Sequence, residues 1–225
     1  VRINATADKS FEPPMNANGA MRKSTSHRGS ADAIYELRIA LPYIVPTIWR
    51  RLEVPGTMTF DVLHDAIQVA MGWEDCHLWM FDVEKTEISP KSEQLDFPGQ
   101  PRARSADSTT LDEMLAGRCM KFRYEYDMGD SWTHEIKVEK VLAPDPDMAY
   151  PRCTGGARAG PPEDCGGFPG YQNILKAVKN PKHPEHEETL EWIGDEWDPE
   201  AFDMDAVNAR LQPRKRRPAR RPKKL

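Results

Sequence analysis

The chain is short of cysteine, of apolar character and of long hydrophobic runs, and each shortage excludes something. Four cysteines (Cys76, Cys119, Cys153 and Cys165) are scattered over 225 residues with no CxxC pair. That is too sparse for a disulfide-built scaffold and excludes the small secreted folds that depend on one. No stretch approaches the ~18 apolar residues of a membrane span, and the N-terminus lacks the apolar segment of a signal peptide. Reduced thiols, a cytoplasmic location and no membrane partner are the expectation. Hydrophobic residues make up only 39%, beside 20 prolines. Together these figures point to a packed body averaged with unstructured tails.

Charge is missing in a pattern too. Residues 184–209 hold ten acids and no Lys or Arg, whereas residues 213–225 carry 8 of the 31 basic residues and no acid. Without that tail the chain has 23 basic against 36 acidic residues, a net of −13 hidden behind the overall −5. The tail, with Arg214, Lys215, Arg216, Arg217, Arg220 and Arg221, suits phosphates, so nucleic acid is its expected partner. The alternative is a nonspecific solubilising extension.

What is present divides into three parts: residues 1–32 without periodicity, a single domain over 33–211, and the basic tail over 212–225. Within the domain, Tyr35, Leu37, Ile39 and Leu41 alternate with Glu36, Arg38 and Ala40, which predicts a half-buried strand. Ile48 to Val54 predicts a second. Phe60, Leu63, Ala66, Ile67, Ala70 and Met71 fall at helical spacing, with Thr59 as N-cap and Gly72 as the stop. Alternation from His77 to Val83 predicts a third strand, and residues 84–108 read as a long loop. Thr110 with Glu113 makes a capping box before a short helix ending at Gly117. Phe122, Tyr124 and Tyr126, then Trp132, His134, Ile136 and Val138, alternate on either side of Asp127-Met128-Gly129-Asp130, which predicts a β-hairpin. Past Pro144 no further strand is expected. Residues 144–170 read as loop, followed by a helix bearing Tyr171, Ile174, Leu175 and Val178. Asp203 should cap a last helix, with Phe202 and Val207 as its hydrophobic staple. Strands first and helices last predict an α+β fold, with helices packed on a mainly antiparallel sheet and a helical C-terminal part.

Several motifs in one order resemble a known family. Pro46-Thr47-Ile48-Trp49-Arg50-Arg51, Ala70-Met71-Gly72-Trp73, His77-Leu78 and Phe81 are similar to the front half of the plasmid pRi Orf-three-like family. Tyr124-Glu125-Tyr126-Asp127-Met128-Gly129-Asp130-Ser131-Trp132-Thr133-His134 resembles its central signature, with Met128 where the family usually has Phe. Pro161-Pro162-Glu163-Asp164-Cys165-Gly166-Gly167 with Gly170-Tyr171 resembles a third block, and Trp192 to Phe202 its close. The likeness spans roughly residues 34–211. It implies a compact α+β domain with a bent sheet, found on plasmids and as a passenger of mobile elements. It assigns no catalytic residue.

Two polar segments are the candidate sites. In the first, Asp127 and Asp130 flank a glycine turn, and His134 shares a strand face with Trp132. These can be metal ligands, or a base with its orienting partner and a proton shuttle. Equally, the aspartates can satisfy turn amides while His134 is a core residue. In the second, two prolines and two glycines hold Glu163 and Asp164 ahead of Tyr171, stiffly enough to meet a ligand, partner or divalent cation. If the strand of His77 lies beside the hairpin, His77 and His134 can form one site with Asp130; a buried structural histidine is the preferred alternative. His77, Trp132, Glu163, Asp164 and Tyr171 are the candidate binding residues. A zinc set of Cys153, Cys165, His183 and His186 is disfavoured, because such ligand pairs sit closer in sequence. Two readings survive, of which the first is preferred. One is a non-enzymatic binding module that meets a protein partner, tethered to nucleic acid by its tail. The other is a metal-dependent hydrolase or nuclease using Asp127, Asp130 and His134, with Glu163 and Asp164.

Overall fold

A computed structural model of the chain describes residues 33–91, 103–117, 120–194 and 196–212. Both expected tails, with the basic residues from Arg214 onward, lie outside the described residues. Thirteen elements are described: β1 (Ile34–Leu41), β2 (Ile48–Pro55), α1 (Phe60–Met71), β3 (Trp79–Val83), β4 (Thr86–Ser89), β5 (Arg104–Ser105), α2 (Leu111–Leu115), β6 (Lys121–Tyr126), β7 (Trp132–Leu142), β8 (Arg152–Ala157), α3 (Gly167–Lys179), α4 (His186–Ile193) and α5 (Met204–Leu211).

The strands form one sheet in the order β5-β4-β3-β6-β7-β1-β2-β8. Every pairing is antiparallel except the short parallel contact of β4 with β5. The fold is therefore α+β with a mainly antiparallel sheet. Register shifts at Glu36/Leu37 between β1 and β7, and at Arg51/Leu52 between β2 and β8, are bulges that bend and twist the strands.

The predicted hairpin is present, with Tyr126 directly opposite Trp132. Its alternation puts Phe122, Tyr124, Tyr126, Trp132, His134, Ile136 and Val138 on the buried side. Helix α1 covers that side. Phe60 meets Phe81 and Phe122 edge-on at centroid distances of 5.0 and 6.2 Å. Burying a side chain of this size contributes roughly 1.5–3 kcal/mol. Gly72 stops α1 in the left-handed conformation (φ +89°), its N–H closing on Gln68 O. Thr59 has the backbone angles of an N-cap, but its hydroxyl turns to Asp61 rather than to a helix amide. Thr110 and Asp203 cap α2 and α5 as expected, accepting from the amides of Glu113 and Ala206.

Three expectations need correction. Strands β4 and β5 occupy the segment read as a long loop, where each is too short to show a period. The third strand begins at Trp79, two residues after His77. Strand β8 lies in the segment where strands were expected to stop. Its Gly155-Gly156 pair hides the alternation, and the packing requires it: a β-carbon on Gly156 would lie 2.5 Å from the Phe202 ring. Helix α5 packs along β8. The Asn208 side chain accepts from Cys153 N at 2.7 Å and donates to Cys153 O at 2.9 Å.

Candidate metal centre

Pairing of β3 with β6 sets Trp79 opposite Tyr126, so the residues before β3 lie beside those after β6. Asp127 N donates to Leu78 O at 2.9 Å and continues that ladder by one bond. A third segment, 161–167, is pinned against both. Trp73 Nε1 donates to Pro161 O at 2.8 Å, and Gly166 N donates to Asp130 Oδ2 at 3.0 Å. Gly167 has φ +64°, and a β-carbon there would lie 2.6 Å from Asp130 O. The two polar loops singled out in the sequence therefore touch.

Asp127 and Glu163 each have one carboxylate oxygen held and another turned toward His77. Asp127 Oδ1 accepts from Gly129 N at 2.9 Å and Asp130 N at 3.3 Å, an Asx turn, while Oδ2 faces His77 Nε2 at 3.7 Å. Glu163 Oε1 accepts from Tyr126 OH and Glu74 N, both at 2.9 Å, while Oε2 lies 3.9 Å from His77 Nε2. Asp164, in the left-handed region at φ +53°, brings Oδ1 to 3.1 Å from the same nitrogen. Both His77 Nε2 and Glu163 Oε2 are buried without a hydrogen-bond partner. Cys76 Sγ also lies within 4.8 Å of the ligand atoms of His77 and Glu163. Burial pushes its thiol up, and its backbone N–H donates to Tyr126 OH at 3.2 Å. Burial and the bond to Glu163 likewise hold the Tyr126 phenol protonated well above its ordinary range.

An ion bonded at about 2.0–2.2 Å separates adjacent ligand atoms by about 3 Å and opposite ones by about 4 Å. The His77 distances of 3.1, 3.7 and 3.9 Å span that interval. One imidazole with carboxylates suits Zn²⁺, Fe²⁺ or Mn²⁺.

The loop carrying His77 is braced from below by a closed ring of hydrogen bonds. His64 Nε2 meets Asp75 Oδ1 at 2.8 Å and Nδ1 meets Tyr124 OH at 2.7 Å. Gln68 Nε2 donates to Tyr124 OH and Gln68 Oε1 accepts from Asp75 N, both at 3.0 Å. The His64 ring stacks on Trp79 at 4.0 Å. With both nitrogens committed, His64 supports the loop and has none left for a ligand, although Asp65 and Asp75 stand near it.

The sequence agrees with one known family across residues 33–206. The chain belongs to the plasmid pRiA4b ORF-3-like family. It is 34% identical over 178 residues to the uncharacterized protein y4hQ of Sinorhizobium fredii, covering 78% of this chain and 89% of that protein. The crystal structure of MM3350, a protein of unknown function from Methanosarcina mazei, superposes with a TM-score of 0.70 at 36% identity, covering 78% of this chain and 98% of that one.

In this ORF-3-like protein the structure gathers His77, Asp127, Glu163 and Asp164, and sets two expected partners apart. His134 is fully buried in the core, its Nδ1 donating to Trp132 O at 2.9 Å and its ring edge-on to Trp73. Strand β6 separates β3 from β7, so His77 and His134 do not meet through strand pairing. Asp130 fastens the second loop through Gly166. Trp132 and Tyr171 are buried edge-on to each other at 6.4 Å and belong to the core rather than a binding surface. The four zinc-set residues have other partners. Cys153 Sγ meets Gly155 O, Cys165 Sγ meets Gly167 O, His183 accepts from Glu185 N and His186 meets Ala177 O. Burial pushes the Cys165 thiol up to about 12.

Beside the cluster opens a cleft of about 610 Å³, bordered by Cys76, Glu163 and Asp164 and, farther along, by Trp192, Trp197 and Phe202. Sequence reasoning missed Cys76 and Arg50 as residues of this region. Arg50 left a readable signal: it is a charged residue at the same strand parity as Ile48, Leu52 and Val54.

Proposed function

We propose that this protein is a divalent-metal hydrolase whose ion is held at His77 Nε2, with Asp127 Oδ2 and Asp164 Oδ1 as one set of neighbours and Glu163 Oε2 approaching the same nitrogen from the other side. The observation that carries the reading is the pair of buried atoms, His77 Nε2 and Glu163 Oε2, that face each other at 3.9 Å with no hydrogen bond to either. Leaving such an atom unsatisfied costs about 1–3 kcal/mol. A cation satisfies both and offsets the repulsion of three convergent carboxylates. The structure-led ligand set differs from the sequence-led one, which named Asp130 and His134. A bound divalent ion supplies Lewis acidity and a water activated near neutral pH, and the adjoining cleft gives a substrate room to approach. Tyr126 positions the site by holding Glu163 Oε1, so that Oε2 points inward.

The test is calorimetric titration of EDTA-treated protein with Zn²⁺ and Mn²⁺. One saturable site per chain is expected, lost in His77→Ala and Glu163→Gln. Tyr126→Phe, which keeps the ring against Trp73, should weaken binding by about 10–100-fold, the usual cost of losing a ligand's outer hydrogen bond. Absence of saturable binding, or full binding by folded His77→Ala, overturns the metal site. If metal-loaded protein leaves activated carboxylic and phosphoric esters untouched, the hydrolase assignment fails even though an ion binds.

A further inference from the structure

We propose that the cleft beside the metal centre binds a single localised oxyanion, a carboxylate or phosphate group, through the guanidinium of Arg50. Arg50 lies on β2, is only 2% exposed, and lines the cleft. Three of its five N–H groups are accounted for. Nε donates to Ala70 O at 2.6 Å, near the C-terminus of α1, and Nη1 donates to Trp49 O and Ala157 O at 2.8 and 3.0 Å. The Phe202 ring covers the guanidinium at 4.5 Å. Those contacts explain Nε and Nη1 as structural ties. They leave Nη2, with its two donors, without a partner among the described residues.

The contrast with neighbouring arginines is informative. Arg51 pairs with Glu139 at 2.7 Å, Arg152 with Glu53 at 2.6 Å, and the buried Arg158 with Glu200 at 2.8 Å. Arg50 is more buried than any of them, yet no carboxylate lies within 4.0 Å of it among the described residues. Desolvation holds its guanidinium down to about 10, so it remains a cation at neutral pH. A buried cation that keeps one nitrogen, Nη2, unpaired on a residue lining the cleft is suited to an oxyanion, which it can meet with a charge-assisted hydrogen bond. Glu74 and Asp203 border the same cleft and repel extended polyanions, which favours one compact anionic group over a nucleic-acid strand. As a statement about substrate this rests on the metal-centre reading: a ligand anchored at Arg50 lies in the cleft that Glu163 and Asp164 border.

Inorganic phosphate and acetate, titrated into the EDTA-treated full chain at constant ionic strength, test the binding without the metal. Trp192 and Trp197 line the cleft, so their fluorescence, with calorimetry, reports occupancy. Saturable binding at one site is expected, weakened at least tenfold in Arg50→Gln and to a lesser degree in Arg50→Lys. Ala206→Glu, which leaves Arg50 intact but puts a carboxylate into the cleft, should abolish it and decides the matter if both Arg50 variants fail to fold. No saturable anion binding by the wild type, or wild-type affinity in Arg50→Lys or Ala206→Glu, overturns the proposal. Metal titration of Arg50→Lys keeps the two readings separate, since that variant should still bind the ion.

Discussion

At the scale of single residues, the same chemistry has opposite meanings depending on what surrounds it. His77 and His134 both neighbour the Asp127 turn in sequence reasoning, yet one faces carboxylates and the other faces rings. Burial pushes His134 down to about 4, against about 6.5 for an unperturbed histidine. Between those values the unfolded chain binds a proton there and the folded chain does not, so acidification favours unfolding. His134 therefore contributes stability that is fully present above about pH 6.5 and lost as pH falls toward 4. The full difference is on the order of 3 kcal/mol. Chemical denaturation at pH 7 and pH 4.5 should show a smaller acid-induced loss in His134→Gln than in the wild type. Equal losses refute the assignment. At this scale Asp127, Glu163, Asp164 and His77 were legible as polar residues on turn-rich segments. His134 misled because strand parity states which side a residue faces, not whether water reaches that side.

At the scale of elements, local signals carried the hairpin, α1 and the caps of α2 and α5, because each depends on residues a few positions apart. Strand β8 and the sheet order were illegible. The pairings of β1 with β7 and β3 with β6 join segments far apart in the chain, and Gly155-Gly156 erases the period that would mark β8. Convergence of the site follows from those pairings, which is why its members could be named but not assembled. Gly167 is the joint between the two loops. Gly167→Ala adds a β-carbon 2.6 Å from Asp130 O at a backbone angle that strains any side chain. It should cost about 1–3 kcal/mol in denaturant unfolding, the usual range for overpacking. By shifting the loop that carries Glu163 and Asp164 away from the Asp127–Asp130 turn it should also lower metal affinity. A variant with wild-type affinity and midpoint shows that the loops are positioned by other contacts.

At the scale of the molecule, an acidic body is joined to a strongly basic end. If the tail tethers nucleic acid, deleting residues 213–225, which carry eight basic residues against a net charge of −13 in the rest of the chain, should remove salt-sensitive binding to DNA. If every cation contacts a phosphate, the slope of log affinity against log salt reaches about −7 in the intact chain. Retention of that slope after deletion, measured by filter binding, refutes a tether. The sheet itself ends at β8, and there the Asn208 amide offers Cys153 one acceptor and one donor, as a neighbouring strand does. An open edge of this kind invites strands from other copies, the route to fibrous aggregation. One asparagine on a surface helix thus acts as a counterfeit strand at Cys153, occupying one pair of the hydrogen-bonding positions through which the sheet could otherwise grow from one molecule into the next.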